Sequence, residues 1–293
     1  MSERPTVEIR VFGAFSLLLD GAPQHLAIAG ATRSLLQYLV CFPERPMRRD
    51  LLVELFWPQV KMERRRAALN SAIWRIKKAL APFAGIRINA TAHAVSLSIE
   101  PDVRCDMISL ARAVHGASEH TSPEAVSALA KALDVCAEPL LDGLDDNWAV
   151  IERERLSEVQ LRGLTLMMHS MAELKRYEDA LDYGRRILAI DPFRESTIQE
   201  VMCLCALSGQ RVKALRLYQR FAASLEEELG IAPMAETIAL YDHLTNDRAF
   251  EATPRPRDGA KEKADMRLRL DDRLLVIERA RLDLYRSLRA IPA

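Results

Sequence analysis

Between Lys61 and Lys78 lie seven basic side chains and a single acid, Glu63. Those types at that density suit one kind of chemistry, the recognition of a polyanion. Arginine and asparagine pair with base edges in a DNA major groove, while lysine neutralises phosphate. From Glu63 to Leu80 the stretch is ERRRAALNSAIWRIKKAL, with Leu69, Ala72, Ile73, Ile76 and Leu80 at three- and four-residue spacing. That spacing predicts a helix with one apolar face. On the helical wheel the opposite side carries Ala67, Ser71, Trp74 and Lys78, with Arg64 and Arg75 on one flank and Asn70 and Lys77 on the other. Arg64, Arg65 and Arg66 open the helix, where its dipole disfavours cations; phosphates nearby would make that placement favourable. Taken alone, the same face also fits a solvated surface helix whose charges only keep the protein soluble.

Other chemistries find little support. The six histidines are scattered, and neither HExxH, nor a nucleophile elbow, nor GxxxxGK[ST] occurs. No enzyme and no cofactor are therefore expected. Cys41, Cys105, Cys136, Cys203 and Cys205 are an odd set without disulfide or zinc spacing, and Cys203 and Cys205 are expected to pack helices. No run of 18 apolar residues occurs, and MSERPTVEIR lacks the apolar centre of a secretory signal. A cytoplasmic protein with no membrane partner is expected.

Across 293 residues, 49% apolar and 28% charged, there is room for two domains. The net charge of zero hides an asymmetry. Through Cys105 there are 15 Lys+Arg against 9 Asp+Glu, a surplus of six that the remainder reverses. Concentrated positive charge steers its module towards polyanions whatever the total.

The elements that must position the basic helix follow from periodicity. VEIRVFG alternates apolar and polar residues from Val7, FSLLLDG ends at an Asp20-Gly21 turn, and His25–Ile28 suggests a third short strand. Leu35, Leu36, Leu39 and Val40 share a helical face that Pro43 ends, and RRDLLVELFW is a second short helix closed by Trp57-Pro58, with Trp57 expected in the core. After the basic helix, IRIN, a turn at 89–93 and VSLSI form a hairpin carrying Arg87 and Asn89. Strands, three helices and a hairpin are the order of a winged helix-turn-helix, whose third helix enters the major groove.

The run RSLLQYLVCFPERPMRRDLLVELFWPQ followed by RRAALNSAIWRIKKAL resembles the winged helix shared by OmpR-type response regulators and the Streptomyces antibiotic regulatory protein (SARP) activators. The wing of that family usually carries a Gly-Tyr pair, where this chain has Ala92-His93-Ala94-Val95. Beyond a connection at 101–121 the chain is predicted almost wholly helical, with Ser122 and Pro123 as N-cap and N1 of one helix. RYEDALDYGRRIL from Arg176 and QRVKALRLYQRFA from Gln210 are offset by 34 residues, the tetratricopeptide period, pairing Ala180 with Ala214, Leu181 with Leu215 and Ile187 with Phe221. Asp191-Pro192 is expected to cap the helix that follows. Asn147-Trp148 with Arg153-Glu154-Arg155-Leu156, Ile190–Glu195, and Leu225–Pro233 are similar to segments of bacterial transcriptional activator domains.

The expected fold is mainly α with a small β component. A winged helix over 1–105 precedes an all-helical tetratricopeptide-like domain over 106–250, a linker over 251–265 and a C-terminal helix over 266–293. Leu270, Ile277 and Leu284 in that last helix fall at heptad spacing, as do Leu268, Leu275 and Leu282, two stripes that favour packing onto the helical array or a partner over a two-stranded coiled coil. The resemblance implies a DNA-binding transcription activator that recognises promoter DNA, organised as direct repeats, as a homodimer. It also implies that the helical domain contacts RNA polymerase or its sigma factor. The residues expected at DNA are Arg64, Arg65, Arg66, Asn70, Ser71, Trp74, Arg75, Lys77, Lys78, Arg87 and Asn89. A different class is a tetratricopeptide scaffold whose winged helix binds protein; a steep salt dependence of DNA binding separates the two.

Overall fold

The computed structural model describes residues 5–119 and 122–246. The linker and C-terminal helix expected over 251–293 lie outside the described residues. The chain divides into two compact units, one through Ile190 and one from Asp191.

The first unit begins with β1 (Val7–Arg10), β2 (Ser16–Leu19) and β3 (Ala22–Pro23). They lie in the order β3-β2-β1-β7, where β7 (Arg104–Cys105) joins parallel to β1 and the other pairings are antiparallel. Val7 and Ile9 face the core, as their alternation with Glu8 and Arg10 requires. The third strand is not His25–Ile28. Asp20 and Gly21 both hold positive φ (49° and 78°), a tight reversal that pairs Ala22 and Pro23 with Leu19 and Leu18 at once. Leu26 and Ile28 are buried nonetheless, as coil.

Three helices and a hairpin follow: α1 (Gly30–Cys41), β4 (Met47–Arg48), α2 (Arg49–Phe56), α3 (Met62–Leu80), β5 (Ile86–Ala90) and β6 (Ala94–Ile99). β6 is central in the sheet β4-β6-β5, with the register Ile86↔Ile99 to Ala90↔Val95 in the hairpin. Leu35, Leu36, Leu39, Leu52, Leu69, Ile76 and Leu97 meet in the fully buried core. Trp57 is only half-buried; it caps the end of α2, its ring 6.0 Å from that of Phe56 and tilted edge-on.

The same unit continues through α4 (Asp106–Glu119), α5 (Pro123–Val135), α6 (Asn147–Glu173) and α7 (Tyr177–Ile190). Ser122 caps α5 by accepting from the Ala125 N–H at 3.2 Å. These helices are bound to the winged helix by backbone as well as side chains. Oδ2 of Asp106 accepts the N–H groups of Val11 and Phe12 at 2.9 and 3.0 Å. Burial raises the carboxyl pKa of Asp106, a shift those two bonds oppose. The Gly13 N–H donates to the Pro139 carbonyl, and the Leu141 N–H to that of Val11. The Trp148 indole N–H donates to Oδ2 of Asp146 at 3.1 Å and to the Ser34 hydroxyl at 3.3 Å, while its ring meets Tyr38 edge-on at 5.1 Å. Cys41, Cys105 and Cys136 are buried in this unit. Burial pushes the Cys105 thiol up to about 12 and the other two in the same direction, so none is poised as a nucleophile.

The second unit contains α8 (Glu195–Leu207), α9 (Arg211–Leu229) and α10 (Ala235–Asn246). α6 packs along α7, and α8 along α9. Each 34-residue match is therefore the second helix of a hairpin. Ala180 and Ala214 are both fully buried there, small residues where helices come close. Asp191-Pro192 does not cap α8, which starts later at Glu195 behind Arg194. Asp191 instead accepts the Phe193 N–H at 3.2 Å, closing a turn. Glu195 accepts the Met234 N–H and the Thr237 hydroxyl at the start of α10.

Candidate nucleic-acid interface

α3 buries the five apolar residues its spacing singles out, Leu69, Ala72, Ile73, Ile76 and Leu80. With that face against the core, Arg64, Arg66, Asn70, Ser71, Trp74, Arg75, Lys77 and Lys78 are exposed, and Arg65 is half-buried. One helix thus carries nine of the eleven expected residues. Arg87 and Asn89 stand on the exposed face of β5, alternating with the buried Ile86 and Ile88.

Their engagements differ. Among the described residues the side chains of Arg64, Arg75 and Lys77 have no hydrogen-bond or ion-pair partner, so their donors face solvent. Trp74 is 63% exposed, and Nζ of Lys78 lies 5.5 Å from its ring centroid, a cation–π contact one turn along. Arg66 approaches Asp50 at 3.9 Å with both side chains well exposed, a weak pair. Arg65 donates to the carbonyls of Val60 and Pro58 at 2.8 and 2.7 Å. Its placement at the positive end of the helix dipole is met by carbonyl oxygens of the α2–α3 loop. On the wing, Arg87 pairs with Glu100 at 2.9 Å and the Asn89 amide donates to the Ser98 hydroxyl at 3.2 Å.

Residue spacing missed one participant, Arg49. This first residue of α2 donates to the Thr91 carbonyl in the wing turn at 3.2 Å and to Oδ1 of Asn70 on α3. The signal was present in the doublet Arg48-Arg49 at a helix start, where cations are unfavourable, as at Arg64–Arg66. Arg48, Arg49, Asp50, Arg66, Asn70 and His93 line one polar hollow between α2, α3 and the wing turn. Chemically the surface offers donors and positive charge to a ligand of acceptors and negative charge. The described residues contain no cluster of three or more metal-ligating side chains, and no helix among them is long and apolar enough to cross a membrane.

Residues 105–245 match the family model described as Bacterial transcriptional activator domain. The chain is 26% identical over 269 residues to Transcriptional regulatory protein EmbR of Mycobacterium tuberculosis, covering 86% of this chain and 68% of that one. It is 24% identical over 256 residues to Regulatory protein AfsR of Streptomyces griseus, covering 85% of this chain but 25% of the relative. Among solved structures, Mycobacterium tuberculosis EmbR in complex with a low affinity phosphopeptide superposes with a TM-score of 0.68. That match has 22% identity and spans 94% of this chain and 72% of the other. The two chains share a fold over the matched part.

Proposed function

We propose that this chain, a SARP-like transcription regulator with a bacterial transcriptional activator domain over residues 105–245, binds promoter DNA through α3 and activates by recruiting RNA polymerase. The observation that carries this reading is the exposed face of α3. There Arg64, Arg75 and Lys77 are held out on a helix whose other face is locked into the core, with no partner among the described residues. In a winged helix that is the element which enters the major groove.

In the proposed division of labour, residues 1–105 select DNA and residues 106–250 contact RNA polymerase or its sigma factor. Arg75, Asn70 and Ser71 face base edges; Arg64, Arg66, Lys77 and Lys78 face phosphates; Arg87 and Asn89 bring the wing to the neighbouring backbone. Arg65 serves DNA binding by holding the loop that starts α3. Two copies on direct repeats would place two such helices on one side of the duplex. The mechanism is recruitment, binding energy without a chemical step, and its site is the DNA of the cytoplasm. Footprinting the purified protein on the DNA upstream of its own gene tests the reading. A protected site, repeated at a spacing near the ~10.5 bp of one DNA turn or a multiple of it, supports it; no protection at any concentration rejects it.

A further inference from the structure

Arg49 joins three elements that a DNA reader must keep in register. Its backbone N–H donates to the His93 carbonyl at 3.0 Å, a bond that satisfies the start of α2 in the absence of a capping side chain. Its guanidinium reaches the Thr91 carbonyl in the same wing turn and Oδ1 of Asn70 on α3. The turn is closed on itself, with the Thr91 hydroxyl accepting from the His93 and Ala94 N–H groups at 3.3 and 3.1 Å. β4, immediately before Arg49, pairs with β6 at Ala94 and Val95. The residue is half-buried, and its two guanidinium bonds lie at the exposed surface.

A guanidinium has donors only, so the atom it meets on Asn70 is the amide oxygen. That bond takes one of the two lone pairs on the oxygen and fixes the plane of the amide. Reading adenine with two bonds takes both the oxygen and the NH2 of an asparagine in one such plane. We propose that Arg49 is a positioning residue that ties the wing turn to the recognition helix and fixes the amide plane in which Asn70 meets a base edge. This rests on the reading of α3 as the DNA-binding helix.

The test uses the full chain with Arg49→Lys and Arg49→Ala; lysine keeps the charge and loses the fork. Hydrogen exchange without DNA reads the bridge alone. In both variants the His93 and Ala94 amides are expected to exchange about fivefold faster, the factor for one lost hydrogen bond of ordinary strength. Unchanged exchange in both would overturn the bridge. The second arm measures affinity for a duplex carrying the footprinted site and for duplexes with each base pair changed singly. At the pair under Asn70, both variants are expected to lose about tenfold in discrimination, with the salt dependence of binding unchanged. Faster exchange with unaltered base preference would overturn the positioning of Asn70 by Arg49. Uniform weakening on every sequence with a salt slope reduced by about one, restored by lysine, would make Arg49 a phosphate contact instead. Failure of the unsubstituted protein to bind any duplex would reject the DNA reading, while the exchange arm still decides the bridge.

Discussion

At the scale of single residues, the exposed side chains of α3 divide by what already occupies them. Arg75 has no partner among the described residues, so Arg75→Ala removes nothing from the fold. It is expected to weaken binding to the footprinted site by about 1–3 kcal/mol and relax the preference at one base pair. Lys77→Ala is expected to weaken all sequences alike and lower the salt slope by about one, read from titrations at several salt concentrations. Arg65 is the opposite case. Its two bonds to loop carbonyls make Arg65→Ala a stability variant, expected to cost about 1–3 kcal/mol in denaturant unfolding with base preference intact. The facing of these residues was legible in the sequence, because burial of Leu69, Ala72, Ile73, Ile76 and Leu80 orients every other position on the helix. Their partners were not. Pro58, Val60 and Thr91 come to Arg65 and Arg49 from loops whose paths no helical period encodes.

At the scale of elements, the position of α3 depends on how the hairpin closes behind it. Gly85 opens the hairpin with φ +84°, and a Cβ there would stand 2.7 Å from a methyl of Val103. Gly85→Ala therefore meets both a backbone conformation that L-residues disfavour and a side chain on the way to β7. A loss of about 2–4 kcal/mol is expected in thermal or denaturant unfolding; a loss under half a unit would mean that the turn relaxes freely. The helices and the long hairpin were legible, since each carries several repeats of its period. β4 and β7 were not, because two residues cannot display an alternation. Both strands are defined by partners far along the chain, Ala94 and Val95 for one and Glu8 and Ile9 for the other. Asp191-Pro192 shows the same limit, since a cap and a turn use the same residue types and only the path of the following chain decides.

At the scale of the molecule, the first compact unit runs past the winged helix to Ile190. Asp106 satisfies two backbone N–H groups just past β1, and Trp148 packs against Tyr38 and Phe56 of the helix-turn-helix. Asp106→Ala would orphan both N–H groups at a cost of about 2–5 kcal/mol, and Trp148→Ala about 3–5 kcal/mol. Calorimetry is expected to show either loss in the transition that melts the winged helix, and a change confined to a separate helical transition would contradict the coupling. The sequence showed the helical repeat through Ala180 and Ala214, yet no pattern announced that residues 139–142 bind back onto the backbone of residues 11–13. The most direct test of the account as a whole is the affinity of the purified protein for the DNA upstream of its own gene, measured from about 50 to 200 mM salt. The expected result is a linear fall of log affinity with log salt, steep enough for several released counterions and shallower in Lys77→Ala. An affinity indifferent to salt, or no binding at the low-salt end, would contradict a DNA-binding α3.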